Sequence, residues 1–306
     1  MGCLPEALAV EPGPQTCDHE DMSSFEAQFS DFQQLHVSLQ EGVAIAAVDN
    51  PPVNVISGRL FHELRRFADW AAADDTVRVV ILRSDSPEFF IAHFDVSLLR
   101  DADVSDPPQR QRELNGFHQL CELFRTMPKA TIAEMAGRVG GGGNELAMSC
   151  DMRFGAIGQT IVNQMEVPLG ILPGGTGTQR LPRLVGTGRA LEIILGADDL
   201  DAVTAQQWGL LNRALPPDEL RPFVDRLAAR IASFPPGAVQ RAKASVRNAE
   251  TMELIDGLRE EAGLFEETMR LPETKFLMDR FLTQGGQTSD SEGQMGRFVM
   301  KVALPD

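Results

Sequence analysis

The chain has no apolar run long enough to span a bilayer, and it is short of basic residues, with 28 Lys and Arg against 44 Asp and Glu. With 43% hydrophobic and 24% charged residues it fits neither a membrane-spanning protein nor a wholly disordered one. A net charge of -16 repels polyphosphate at long range and argues against a nucleic-acid partner. Cysteine is scarce. Cys3, Cys17, Cys121 and Cys150 lack the close pairing of a zinc site and are too few for a disulfide framework, so no metal is expected and a reducing compartment, the cytoplasm, is.

Residues 1–21 hold no Lys or Arg and no apolar centre, unlike a secretory signal, and read as a flexible acidic tail. Met1-Gly2-Cys3 does not complete a myristoylation motif, because Glu6 stands where Ser or Thr is needed. No membrane partner is therefore expected. No internal repeat stands out.

What the chain does contain is an alternation of strand and helix patterns. His36 to Asp49 reads as a hairpin about Glu41-Gly42, and Arg59 to Ala73 as a helix with Leu60, Leu64 and Phe67 on one stripe. Val77 to Leu82 reads as a buried strand, and Phe89 to Ala92 leads into His93-Phe94-Asp95. Gln109 to Thr126 is predicted as a helix, with Leu114, Phe117, Cys121 and Phe124 on its apolar stripe. Next come a strand at Thr131 to Met135, a turn at Gly137 to Gly143, a helix opening at Asn144 and a strand at Met152 to Ala156. Such alternation marks an α/β fold. From residue 216 the pattern is helical, so 22–215 is expected to form the α/β core and 216–306 a helical region for oligomer packing.

Four consecutive glycines, Gly140 to Gly143, let the backbone come close to a ligand, and amides at the start of the following helix have no intrahelical partner. Neither phosphate-binding pattern is met. A Walker loop needs Lys and then Ser or Thr where Asn144-Glu145 stands, and no frame supplies the dinucleotide fingerprint. An oxyanion-stabilising turn survives, with Glu145 beside it. Taken singly, Glu145 is an ordinary acidic residue of a first helical turn, and Glu166 an ordinary loop glutamate.

Together with Phe89 to Leu99, the stretches MPKATIA (127–133), GRVGGGGNELAMSCD (137–151) and EVPLGILPGGTGTQRLPRLVG (166–186) resemble the enoyl-CoA hydratase/isomerase, or crotonase, family. That resemblance implies a spiral of ββα units with a C-terminal helical region, a homotrimer or dimer of trimers, and an acyl-CoA thioester substrate. No separate cofactor is implied, since coenzyme A enters as part of the substrate. By alignment, the amides of Phe94 and Gly142 would form an oxyanion hole, Glu145 and Glu166 would be the catalytic pair of a hydratase, and Ala92, Asp95, Gly141 and Gly174 would bind substrate. The activity so implied is syn addition of water to a 2-enoyl-CoA. The alternatives are isomerisation, thioester hydrolysis or C–C cleavage on the same oxyanion site, or acyl-CoA binding without catalysis. His93-Phe94 replaces the family's usual Gly-Ala, and Val162-Asn163-Gln164-Met165 replaces its Phe-Gly-x-Pro. His118 and Glu122 read as a solvated helix face, and Arg100, Arg297 and Lys301 as candidates for CoA phosphates.

Overall fold

A computed structural model describes residue 25 and residues 27–107 and 109–303. The acidic tail expected over 1–21 lies outside them. The described residues divide into two units between Phe32 and Gln33. In the described part of the first, the Phe29 ring meets those of Phe25 and Phe32 edge to face.

The second unit opens with the expected hairpin, β1 (Leu35–Gln40) antiparallel to β2 (Val43–Val48). Both turn residues have positive φ, 49° at Glu41 and 78° at Gly42, the conformation that matches the twist of paired strands. Helix α1 (Gly58–Ala73) starts where the Ser57 side chain accepts from the Leu60 N–H and buries the predicted stripe of Leu60, Leu64 and Phe67.

From there the chain lays down pairs of strands, one for each of two sheets. β3 (Val79–Ser84), β5 (Ala130–Met135), β7 (Met152–Ala156) and β10 (Arg213–Leu215) extend β2 in parallel into a six-stranded sheet. β4 (Phe89–Ile91), β6 (Arg138–Gly140) and β8 (Ile161–Asn163) are parallel in a four-stranded sheet closed by an antiparallel β9 (Leu200–Asp201). Three successive pairs, β3–β4, β5–β6 and β7–β8, thus each add one strand to each sheet before a helix follows, the spiral of ββα units that the resemblance implies. All six residues of β3 and of β5 are buried, as central parallel strands require.

Beyond β10, every described element is helical. The first, Pro217–Ala232, sets Leu220, Val224 and Ala228 into the core formed by Val79, Ile81, Ile132 and Phe154, so the sheet's hydrophobic layer continues past residue 216. Pro236–Asn248 is tied to the end of β7 by Lys243 and Arg247, which meet the two oxygens of Asp151 at 2.8 and 2.5 Å. No described helix is long and apolar enough to cross a membrane.

Two sequence expectations need correction. The helix predicted from Gln109 begins at Gly116 (α3, Gly116–Thr126), because Asn115 caps it by accepting from the His118 N–H, and Leu114 is exposed instead of joining the buried stripe. The glycine segment is a turn for less of its length than expected. Arg138–Gly140 is strand β6, and helix α4 (Gly141–Ala147) already includes Gly141, Gly142 and Gly143.

Candidate active site

The glycines are explained by what lies against them. Strand β4 and residues 92–94 run so close to α4 that each glycine faces one residue of the other segment: Gly143 faces Ile91, Gly140 Ala92, Gly141 His93 and Gly142 Phe94. Any side chain on Gly143 would run into the Ile91 carbonyl oxygen. A Cβ on Gly142 would lie 3.3 Å from the Phe94 nitrogen, and Gly141 has a φ of 44°, which glycine adopts without strain.

This contact brings two amides together. A bridge to Ile56 uses the His93 carbonyl and the Asp95 N–H and leaves the Phe94 N–H out of the pairing. Gly142 lies in the first turn of α4, where N–H groups have no intrahelical acceptor. Both residues line a cavity of about 430 Å3, together with Glu145, Glu166 and Gly174. The rest of its wall is largely apolar and includes Phe117, Leu99 and Leu172.

The two carboxylates are held differently. Glu145, on α4, is buried, and its Oε1 accepts from the N–H groups of Gly175, Thr176 and Gly177 at 2.8, 2.8 and 2.7 Å. These amides open the next helix, α5 (Gly177–Val185), which has no side-chain cap of its own, so the carboxylate completes that helix end. Burial pushes the Glu145 carboxyl up from its ordinary value, and the three amides pull the other way.

Glu166 follows β8 and is also buried, but no backbone cradle holds it among the described residues: its side chain meets the Gln164 amide, 3.3 and 3.2 Å from its two oxygens. Gln164 in turn accepts from Asn144 of α4 at 2.7 Å, so a buried amide chain ties the loop after β8 to the glycine helix. Burial first, and then the charge of Glu145, pushes the Glu166 carboxyl up to about 7. Of the pair, Glu166 is the member that holds a proton near neutrality, because three N–H donors favour the anion on Glu145.

The other sequence candidates are placed less uniformly. Gly174 lines the cavity, and Gly141 packs so that a Cβ would come within 3.0 Å of Glu166 Oε1. Ala92 borders instead an adjoining cavity of about 190 Å3, which shares His93 and Met165 with the larger one. Asp95 caps the short helix α2 (Val96–Arg100) by accepting from the Ser97 N–H and hydroxyl, which hold its carboxyl below the usual range. Arg100 pairs with Asp101 in solvent.

The reading of His118 and Glu122 as a solvated face is overturned. The His118 Nε2 donates to the Gly174 carbonyl at 2.7 Å and Glu122 meets Arg180 of α5 at 2.5 Å, so α3 clamps the loop that carries the three amides. Asn115 as an N-cap was the available signal, since it fixes where α3 begins and so which of its residues face that loop. Gln164 went unassigned because Asn144 becomes its neighbour only when β6 and β8 pair.

Comparison with known proteins decides the family. The profile of the family described as "Enoyl-CoA hydratase/isomerase" matches residues 38–287. The chain belongs to the enoyl-CoA hydratase/isomerase family. It is 31% identical over 253 residues to the crotonyl-CoA hydratase of Syntrophomonas wolfei, covering 82% of this chain and 95% of that one. With the short-chain-enoyl-CoA hydratase of Clostridium acetobutylicum it shares 31% identity over 78% of this chain and 91% of the other. The crystal structure of enoyl-CoA hydratase from Bacillus anthracis superposes with a TM-score of 0.76 at 28% identity, covering 83% of this chain and 97% of that one. The fold is that of the crotonases.

Proposed function

We propose that this chain is an enoyl-CoA hydratase that adds water reversibly, in syn fashion, across a 2-enoyl-CoA thioester. The observation that carries this reading is the pair of unlike carboxylates on one cavity, Glu145 anchored by three amides and Glu166 raised to about 7. The thioester oxygen lies between the Phe94 and Gly142 N–H groups, which are fixed by backbone packing before negative charge develops; a donor of this kind is worth about 2.7–4 kcal/mol. Glu145, with one oxygen occupied by amides, orients water with the other and takes its proton as the new C–O bond forms. Glu166, protonated, gives a proton to Cα, which neutralises the enolate and returns the carbonyl. In the reverse direction the same groups exchange roles.

The apolar wall supports an acyl chain without charge, and the adjoining cavity beside Ala92 supports a place for part of the coenzyme A moiety. A homotrimer or dimer of trimers follows from the same reading. Leu254, Phe265 and Phe276, on the C-terminal helices, stand more than 60% exposed in the single chain, which favours their burial against another copy. The buried free thiols of Cys121 and Cys150 suit a reducing cytoplasm. Purified protein should consume short- and medium-chain 2-enoyl-CoAs and form the 3-hydroxyacyl product. Folded protein that turns over none of them, or that yields a shifted double bond or free acid, overturns the assignment and selects among isomerase, hydrolase and binding protein.

A further inference from the structure

Phe117 lies along the path a bound acyl group would take. At one end its ring reaches the oxyanion turn, with Cζ 3.5 Å from where a Cβ on Gly142 would stand. At the other end its Cε1 and Cδ1 lie 2.6 and 2.8 Å from the corresponding point on Gly175, which also abuts Glu145 Oε2, the oxygen that the amides leave free. On the enoyl-CoA reading above, the thioester oxygen sits at the first end and the β-carbon at the second. One ring therefore borders the acyl group from C1 to C3.

The ring is held firmly. The Phe94 ring meets it edge to face, centroids 5.6 Å apart at 80°, and the Phe94 backbone is fixed by the bridge to Ile56. On the helix itself, Asn115 caps the turn that carries Phe117, and the neighbouring His118 is tied to the Gly174 carbonyl. A close-packed wall that cannot swing aside penalises each added methyl group.

We propose that Phe117, braced by Phe94, is a specificity-determining residue that walls off the space beside the reacting carbons, so that the site takes straight-chain enoyl thioesters and rejects those with a second carbon substituent at the β-carbon. Phe94 supplies two parts of this arrangement, its N–H to the oxyanion and its ring to the wall.

The test separates this inference from the assigned reaction by using saturated ligands, which need no turnover. Dissociation constants of butyryl-CoA and 3-methylbutyryl-CoA are measured by calorimetry on the full chain, alongside kcat/KM for crotonyl-CoA and 3-methylcrotonyl-CoA. The wild type should favour the straight-chain ligand in both comparisons by roughly 10- to 200-fold, the range for one misplaced methyl group. Phe117→Ala should bring the ratio close to one. Phe117→Leu, which keeps most of the apolar volume if the smaller residue fails to fold, should reduce it partway. A wild-type ratio near one, or an unchanged ratio in a folded variant, overturns the proposal. Discrimination in binding with no turnover of either enoyl-CoA upholds the wall and removes the hydratase assignment, and failure of both saturated ligands to bind removes both.

Discussion

The Gly177 N–H donates to Glu145 Oε1 at 2.7 Å, and with the amides of Gly175 and Thr176 it fixes one oxygen of that carboxylate while the other faces the cavity. Glu145→Gln separates the two oxygens' functions. The amide oxygen can still accept from the three N–H groups, so the thermal midpoint should stay near that of the wild type. The NH2 group that replaces the free oxygen cannot take a proton from water, and kcat should fall by about 10²–10⁴-fold. Steady-state kinetics beside a thermal melt checks both halves. A variant with unaltered kcat removes Glu145 from the chemistry.

Glu166 sets the basic limb of the pH profile. Its carboxyl is raised to about 7, so it is protonated below that pH and able to give a proton to Cα. The kcat/KM for hydration should be level just below pH 7 and fall about tenfold per unit above it, as ionisation removes the acid. Because Glu145 and Glu166 interact, the two limbs belong to the pair. The profile of Glu166→Gln, measured on its residual rate, should lack the limb near 7, and persistence of that limb would place the titration elsewhere.

The same shift has a consequence for stability. A carboxyl raised from 4.5 to about 7 by folding binds its proton more tightly in the native state, so its contribution is present below about pH 4.5 and lost as pH rises through about 7. Glu166→Gln removes this penalty. The variant should be more stable than the wild type at pH 8, by up to about 3 kcal/mol, with the gap narrowing toward pH 5. Urea titrations at the two pH values measure it, and a gap independent of pH counts against the shift.

His118 on α3 is predicted to act on catalysis without touching substrate. His118→Ala removes the donor to the Gly174 carbonyl and frees the loop whose amides hold Glu145. A carboxylate misplaced by about 1 Å can lose about 10²-fold in rate. We expect kcat to fall with KM little changed, and His118→Gln, which can still donate, to recover much of the loss. Equal losses for both variants would show that the imidazole does something other than hold the loop.

Local signals carried the hairpin, and the family resemblance picked out Phe94, Gly142, Glu145 and Glu166, which line one cavity, whereas backbone partners distant in sequence did not show. The Glu41-Gly42 turn was legible because two apolar alternations flank residues that tolerate positive φ. Glu145 taken singly read as an ordinary first-turn acid, and it stood out only within the longer stretch 137–151 that carries the resemblance. The extended start given to α3 failed because Leu114 continues the helical spacing, yet it is exposed, and Asn115 captures the His118 N–H. The cradle for Glu145 could not be read at all. Its donors are backbone amides of residues 175–177, 30 to 32 positions away, and a backbone N–H leaves no residue signature. The pairing of His118 with the Gly174 carbonyl, 56 positions apart, was hidden for the same reason.

The glycine run also makes a prediction about folding in which position matters more than composition. Gly143 has no space for a methyl group, since the Ile91 carbonyl oxygen already occupies its Cβ position, and both backbones are fixed, one in α4 and the other at the end of β4. Gly143→Ala must therefore separate helix from strand, which destabilises the chain by about 1–3 kcal/mol through overpacking and shifts the Phe94 and Gly142 amides apart. Gly158 has the opposite character, with a φ of 77° and open space around its Cβ position. Gly158→Ala should cost only the backbone strain of a left-handed alanine, about 1 kcal/mol, and leave kcat unchanged. Melting both variants and assaying them with crotonyl-CoA compares the two. If Gly143→Ala kept wild-type kcat at any stability, the close approach of α4 to residues 91–94 would not be what sets the oxyanion geometry.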